Sequence, residues 1–204
     1  MLDYGLTCLV VGNGPSLRDV SNTFLSKYPS FGSNRCYLKF IPTYYVAMNR
    51  LVLTQNAAEI KGLRCKKYIK AGFGINGYQL TRDTREAFSF APMEWVNEGY
   101  TVTYVALQLA YWMGFRTVLL VGIDHRYIQN GLPNEKQIMR GDDPNHFDPR
   151  YFKGQGWHLA DLEQSEGYYR IARQVYEADE RQIINLTPNT GTDAFEKGLI
   201  YDYL

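Results

Sequence analysis

The chain has 204 residues, 45% of them hydrophobic and 21% charged, enough for one domain with a sizeable core and too few for two enzyme domains. Lysine and arginine total 22 against 21 acids, so no global field gathers nucleic acid or an anionic membrane, and any anion site must be local. Cys8, Cys36 and Cys65 are odd in number and widely spaced, which argues against a disulfide framework or structural zinc and makes a reducing cytoplasm the expected setting.

The amino-terminal stretch MLDYGLTCLVVGNGPSL has no basic segment before its apolar run and no small-residue cleavage pattern, so it does not read as a signal peptide. Residues 6–11 are a short apolar run bounded by glycines, as in a strand covered on both faces of a parallel sheet. Gly12-Asn13-Gly14-Pro15-Ser16 follows, with proline where a helix can begin, and predicts a helix to about Lys27. Further strands are expected near residues 30–32, over TYYVAM at 43–48 and over 67–71. Residues 72–98 lack clear periodicity and are expected to hold one helix and a loop.

Residues 104–123 approach the length of a membrane span, but Gln108, Gly114 and Arg116 interrupt them. They read instead as a buried helix over 102–113, a stop at Gly114, and a buried strand TVLLVGI at 117–123. A connection of some thirty residues follows, about 125–158, longer than passive connections usually are, and is expected to act as a lid-like loop. Residues 159–178 restore helical spacing through Tyr168, Ile171, Ala172, Val175 and Tyr176. A last strand at 182–186 ends in the turn Thr187-Pro188-Asn189-Thr190-Gly191. Alternating strands and helices select α/β: a single doubly wound, mostly parallel sheet over 1–204 with helices on both faces, where ligands sit beyond the carboxyl ends of the strands.

Polar residues fall at those ends. Gly12, Asn13, Gly14 and Ser16 follow the first strand, Ser33 and Asn34 the second, Asn49 the third, and Gly122 and Asp124 the strand at 117–123. One asparagine after a strand is usually a turn former; the repetition at successive strand ends points to recognition of sugar hydroxyls and a base. GNGPS has the ingredients of an anion cradle, glycines for close approach and free amides at a helix start. It lacks the Walker lysine, and the dinucleotide fingerprint fails where Leu17 stands in place of its third glycine, which disfavours NAD. The three histidines are His125, His146 and His158. A histidine in the aromatic loop has the pKa of a general base, whereas reading His146 and His158 with Asp142, Asp143 and Asp148 as metal ligands finds no compact spacing.

VVGNGPSL, SNRCYL, YYVAMN, MGFRTVLLVGIDHRYIQNG and TPNT, in that order, resemble the bacterial sialyltransferases of glycosyltransferase family 42 and the related proteins grouped with archaeal hydroxymethylpterin diphosphokinase. The resemblance implies a Rossmann-like sheet with CMP across its edge, contacted by Asn13, Asn34 and Asn49. It implies metal-independent inversion, with Tyr127 and Tyr151 on the departing phosphate and His146 or His158 deprotonating the acceptor, His146 first because NHFDPRYF most resembles the diphosphokinase-related group. Where the sialyltransferases carry Arg-x-Thr-Ser-Gly, this chain has Gly99-Tyr100-Thr101-Val102-Thr103, so Thr101 or Thr103 would replace the serine hydroxyl.

The leading expectation is a glycosyltransferase moving a sugar from a nucleotide donor, CMP-sialic acid or related, to a bacterial or phage-associated glycan. No cofactor and no metal are expected for it. The alternatives are an ATP-using diphosphokinase that needs magnesium, and a nucleotide-binding protein without catalysis. No nucleic-acid partner and no transmembrane segment are expected, and oligomers stay open.

Overall fold

The computed structural model describes residues 6–85 and 87–204; the first five residues of the stretch read as carrying no leader lie outside them. The apolar run becomes β1 (Thr7–Val11), buried at every position. The helix expected as far as Lys27 is broken into a 3-10 turn over Pro15–Asp19 and a single turn, α1 (Asn22–Leu25). Val20 is extended and buried between them, and the Ser21 hydroxyl accepts from Phe24 N–H to start α1 afresh.

β2 (Ser30–Ser33) and β3 (Tyr44–Ala47) follow, then α2 (Arg50–Gln55), α3 (Ala57–Gly62) and β4 (Lys66–Lys70). The buried Lys67 ammonium donates to the Ile60, Lys61 and Leu63 carbonyls at the end of α3, satisfying acceptors that the helix leaves open. Residues 72–98 contain no helix among the described residues, contrary to expectation. They add the edge strand β5 (Tyr78–Leu80) and then run as turns, with Arg82 bridged to Val96.

That irregular backbone is held by one side chain of α4 (Val102–Trp112). Gln108, fully buried, accepts from Ser89 N–H at 3.0 Å and Asn97 N–H at 3.1 Å, and donates to the Asn97 and Tyr104 carbonyls. The residue that interrupts the apolar tract in the sequence thus supplies the crossover with its missing hydrogen-bond partners.

β6 (Thr117–Val121) leads through β7 (Lys136–Ile138), β8 (Gly156–His158) and α5 (Leu162–Ala178) to β9 (Gln182–Asn185) and β10 (Glu196–Lys197). Eight strands form one sheet in the order β10-β9-β6-β1-β2-β3-β4-β5, parallel throughout. The chain winds outward from β1 to β5 and then returns to build from β6 on the other side of β1. The fold is a doubly wound, Rossmann-like α/β sheet whose switch point lies between β1 and β6.

Two buried clusters cover its faces. One gathers α4 and α5, the latter through Tyr169, Ala172 and Tyr176 at helical spacing; the other gathers Leu17, Phe24, Val52, Leu53 and Ile60. The segment expected as a lid-like loop contributes Met139, Phe147, Tyr151, Phe152 and Trp157 to the second cluster and pairs β7 with β8 as an antiparallel ribbon. Among the described residues no helix is long and apolar enough to cross a membrane.

Replacing Gln108 with leucine keeps the volume but strands the Ser89 and Asn97 amides and the Asn97 carbonyl. We expect a loss of at least about 3 kcal/mol in urea unfolding, with increased amide exchange confined first to residues 87–101.

Candidate functional site

A cleft of about 730 Å³ opens beyond the carboxyl ends of the strands. Its floor follows the sheet edge: Gly12, Asn13 and Gly14 after β1, Ser33 and Asn34 at β2, Asn49 after β3, and Gly122 with Asp124 after β6. The start of α4, including Thr101 and Thr103, and the start of α5 form one wall. Tyr127, His146, Phe152, Trp157 and His158 come from the long excursion.

The floor depends on close contact between the β1 and β6 loops. Gly12 N–H donates to the Val121 carbonyl and Gly14 N–H to the Gly122 carbonyl, at 2.8 and 3.0 Å. A Cβ on Gly12 would lie 2.3 Å from the Gly122 oxygen, and Gly122 itself has φ +69°, so both positions require glycine. Ser16 does not line the cleft: its N–H and hydroxyl donate to the Asp124 carboxylate at 3.1 and 2.7 Å. A Cβ on Gly14 would lie 2.0 Å from the same carboxylate. The anion cradle read from GNGPS is therefore occupied by the protein's own Asp124, and a short 3-10 turn replaces the helix whose start it needed.

The asparagines differ in what they leave free. Asn13 Nδ2 donates to the Ser33 carbonyl and hydroxyl, while its Oδ1 is buried without a partner among the described residues. Asn34, at φ +51°, also buries an Oδ1 that has no partner among the described residues. An orphaned buried carbonyl costs about 1–3 kcal/mol and is relieved by a donor on a ligand. Asn49 is partly the turn former of the plainer reading: its Oδ1 accepts from Leu51 and Val52 N–H to cap α2, leaving Nδ2, 3.5 Å from His158 Nδ1. Thr101 likewise caps α4, accepting from Thr103 N–H.

All three histidines line the cleft, in unlike environments. His146 is buried, with Nδ1 2.8 Å from Asp143 Oδ2, and Asp143 is itself buried. The carboxylate fixes the proton on Nδ1 and leaves Nε2 as the basic nitrogen. The imidazole stacks on Tyr151, centroids 4.0 Å apart and planes at 3°, and meets Phe152 edge-on. His158 is exposed and its pKa is lowered by partial burial and by Lys136. His125, at φ +50°, sets Nε2 3.4 Å from Glu166; burial lowers its pKa against the opposing pull of Glu166.

Tyr127 reaches the cleft, stacked on Trp157. Desolvation, reinforced by Tyr169, Asp143 and Asp124, raises its pKa and keeps the phenol protonated as a donor. Tyr151, expected beside it on a phosphate, is elsewhere. It is 0% exposed beneath His146, its hydroxyl accepting from Arg35 N–H, so it supports the imidazole.

Asp143 was visible in the sequence three residues before His146, weighed only as a metal ligand; its orienting role requires the side-chain geometry. No three His, Cys, Asp or Glu residues among those described are grouped to hold a metal. Sequence reasoning also passed over Arg50, Arg82 and Arg126, which line the cleft without an anionic partner among the described residues. Comparison with protein-family models, curated proteins and solved structures returns no match.

Asp124→Ala frees the Ser16 amide and hydroxyl and parts the two loops; we expect a loss of about 2 kcal/mol by chemical denaturation. His125 binds its proton less readily folded than unfolded, so its protonation opposes folding: stability falls as pH drops below about 6.5. His125→Gln is expected to flatten that part of the stability–pH curve.

Proposed function

We propose that the chain is a glycosyltransferase of sialyltransferase-like type, moving a sugar from a nucleotide donor, CMP-sialic acid or a related compound, to a glycan hydroxyl with inversion. One observation carries this reading: His146, oriented by Asp143, lines a switch-point cleft whose floor is built from Asn13, Asn34 and Asn49. Uncharged asparagine side chains along the floor suit a neutral ligand rich in hydrogen-bonding groups, such as an aminopyrimidine with its ribose hydroxyls.

In the proposed step the nucleotide lies along β1 to β3 with its phosphate toward β6. Asp143 accepts a hydrogen bond from His146 Nδ1–H, which stays on the ring, and keeps Nε2 free. Nε2 takes the proton of the acceptor hydroxyl as its oxygen attacks the anomeric carbon. The bond from that carbon to the phosphate oxygen breaks on the opposite face, and the nucleotide leaves with the electron pair. The protonated Tyr127 hydroxyl donates to the departing phosphate. Asp143 stabilises the imidazolium until the proton is lost to solvent.

The magnesium-dependent diphosphokinase reading needs free carboxylates in the cleft. Asp124 is engaged by Ser16, Glu98 by Lys70, and Asp161 by the start of α5 and Asn134, which counts against that reading and favours a transfer in which protein side chains compensate the charge.

CMP is expected to raise the melting temperature without magnesium, more than ATP with it. His146→Asn should retain CMP binding and lose about 10²–10⁴ in transfer rate, and Asp143→Asn should lose rate in the same direction, whereas His158→Asn should stay within about tenfold. Wild-type turnover in His146→Asn would remove the base assignment. Stabilisation by magnesium–ATP alone would replace the transferase reading with the diphosphokinase one.

A further inference from the structure

The cleft continues past the asparagines to the far edge of the sheet, where β4 and β5 meet the loop before α4. Backbone bonds fix this corner: Val96 N–H donates to the Thr81 carbonyl at 2.8 Å and Asp83 N–H to the Val96 carbonyl at 2.9 Å. Arg82 is thereby held beside residues 97–101. The carboxylates of Asp83 and Glu98 are committed elsewhere, to Arg85 and to Lys70. Arg82 lines the cleft with no side-chain partner among the described residues.

The loop before α4 adds an aromatic face to the same cleft. Gly99 and Tyr100 both lie in the left-handed region, φ +52° and +59°, the first held by Asn97 Oδ1 accepting its N–H at 2.9 Å. A Cβ on Gly99 would lie 2.4 Å from the Tyr104 ring, so the turn is built around glycine. A bulky aromatic residue at positive φ carries strain that regular packing avoids. Here it leaves Tyr100 54% exposed at the cleft wall, tilted at 5.9 Å from Tyr168.

We infer that this corner is a subsite for an acidic sugar, its carboxylate or phosphate held by the Arg82 guanidinium and its ring face laid on Tyr100. A planar guanidinium grips either anion through two parallel hydrogen bonds, and the phenol ring covers apolar ring C–H groups. β5 is four strands from β1, roughly 19 Å at the usual strand spacing, beyond the sugar attached to a phosphate at the switch point. The acidic sugar is therefore part of an extended acceptor, an assignment that rests on the transferase reading.

The test titrates four probes by calorimetry into wild type, Arg82→Gln and Tyr100→Ala: a disaccharide ending in a hexuronic acid, its neutral hexose counterpart, a hexose 6-phosphate, and CMP. Wild type is expected to bind the uronic acid or the sugar phosphate at least tenfold more tightly than the neutral sugar, and the better of the two identifies the anion. Arg82→Gln should abolish that preference and leave CMP affinity unchanged. Tyr100→Ala should weaken acidic and neutral sugars together by about tenfold. Equal binding of acidic and neutral sugars to wild type, no binding of any acidic probe, or a preference that survives Arg82→Gln overturns the inference. CMP binding with no sugar discrimination would leave the nucleotide reading standing without this subsite; discrimination without nucleotide binding would leave the subsite and remove the nucleotide reading.

Discussion

The site rests on the contact between the β1 and β6 loops. Two backbone hydrogen bonds and the Asp124 link to Ser16 bring them together at the switch point, where no side chain fits between Gly12 and Gly122. The crevice that doubly wound sheets leave at this place is thus given a closed, rigid floor. The same link excludes one reading of that floor, since the Asp124 carboxylate already meets the amide that a phosphate would otherwise take. Compensation for an anionic ligand falls to side chains around the rim.

Those side chains are positioned by two different constructions. The excursion between β6 and α5 is anchored from below: Tyr151, Phe152, Trp157 and Phe147 sink into the core over α2 and α3, and Phe147 N–H donates to the Asn13 carbonyl at 3.0 Å. His146 lies between that anchor and the cleft, with one face on Tyr151 and one nitrogen on Asp143. The opposite wall is held by Gln108, which reaches from α4 to bond a stretch with no regular structure of its own. In both cases a polar contact inside apolar packing fixes the orientation that hydrophobic burial alone leaves free.

Much of this was legible in the sequence. The runs at 7–11, 44–47 and 117–121 are strands because uninterrupted apolar residues suit a sheet covered on both faces, and their alternation with helices selects the winding. Once the sheet is parallel, residues following each strand share one edge, so Asn13, Asn34, Asn49 and Asp124 had to gather there. Less was legible where no period exists. β5 is three residues long at a sheet edge, and the short helices α1 and α2 are set by capping at Ser21 and Asn49.

The amino-acid order by itself determined the class of fold and the edge on which polar residues collect, because side-chain periodicity is a local property that survives into the packed state. Tertiary structure alone decided what each residue does there. Whether a carboxylate faces a ligand or a serine, as with Asp124, and whether a tyrosine borders a cleft or lies beneath a histidine, as with Tyr151, depends on contacts between segments about 108 and 116 residues apart. Such contacts are fixed by volume and hydrogen-bond satisfaction across the whole core, which leave no periodic trace along the chain.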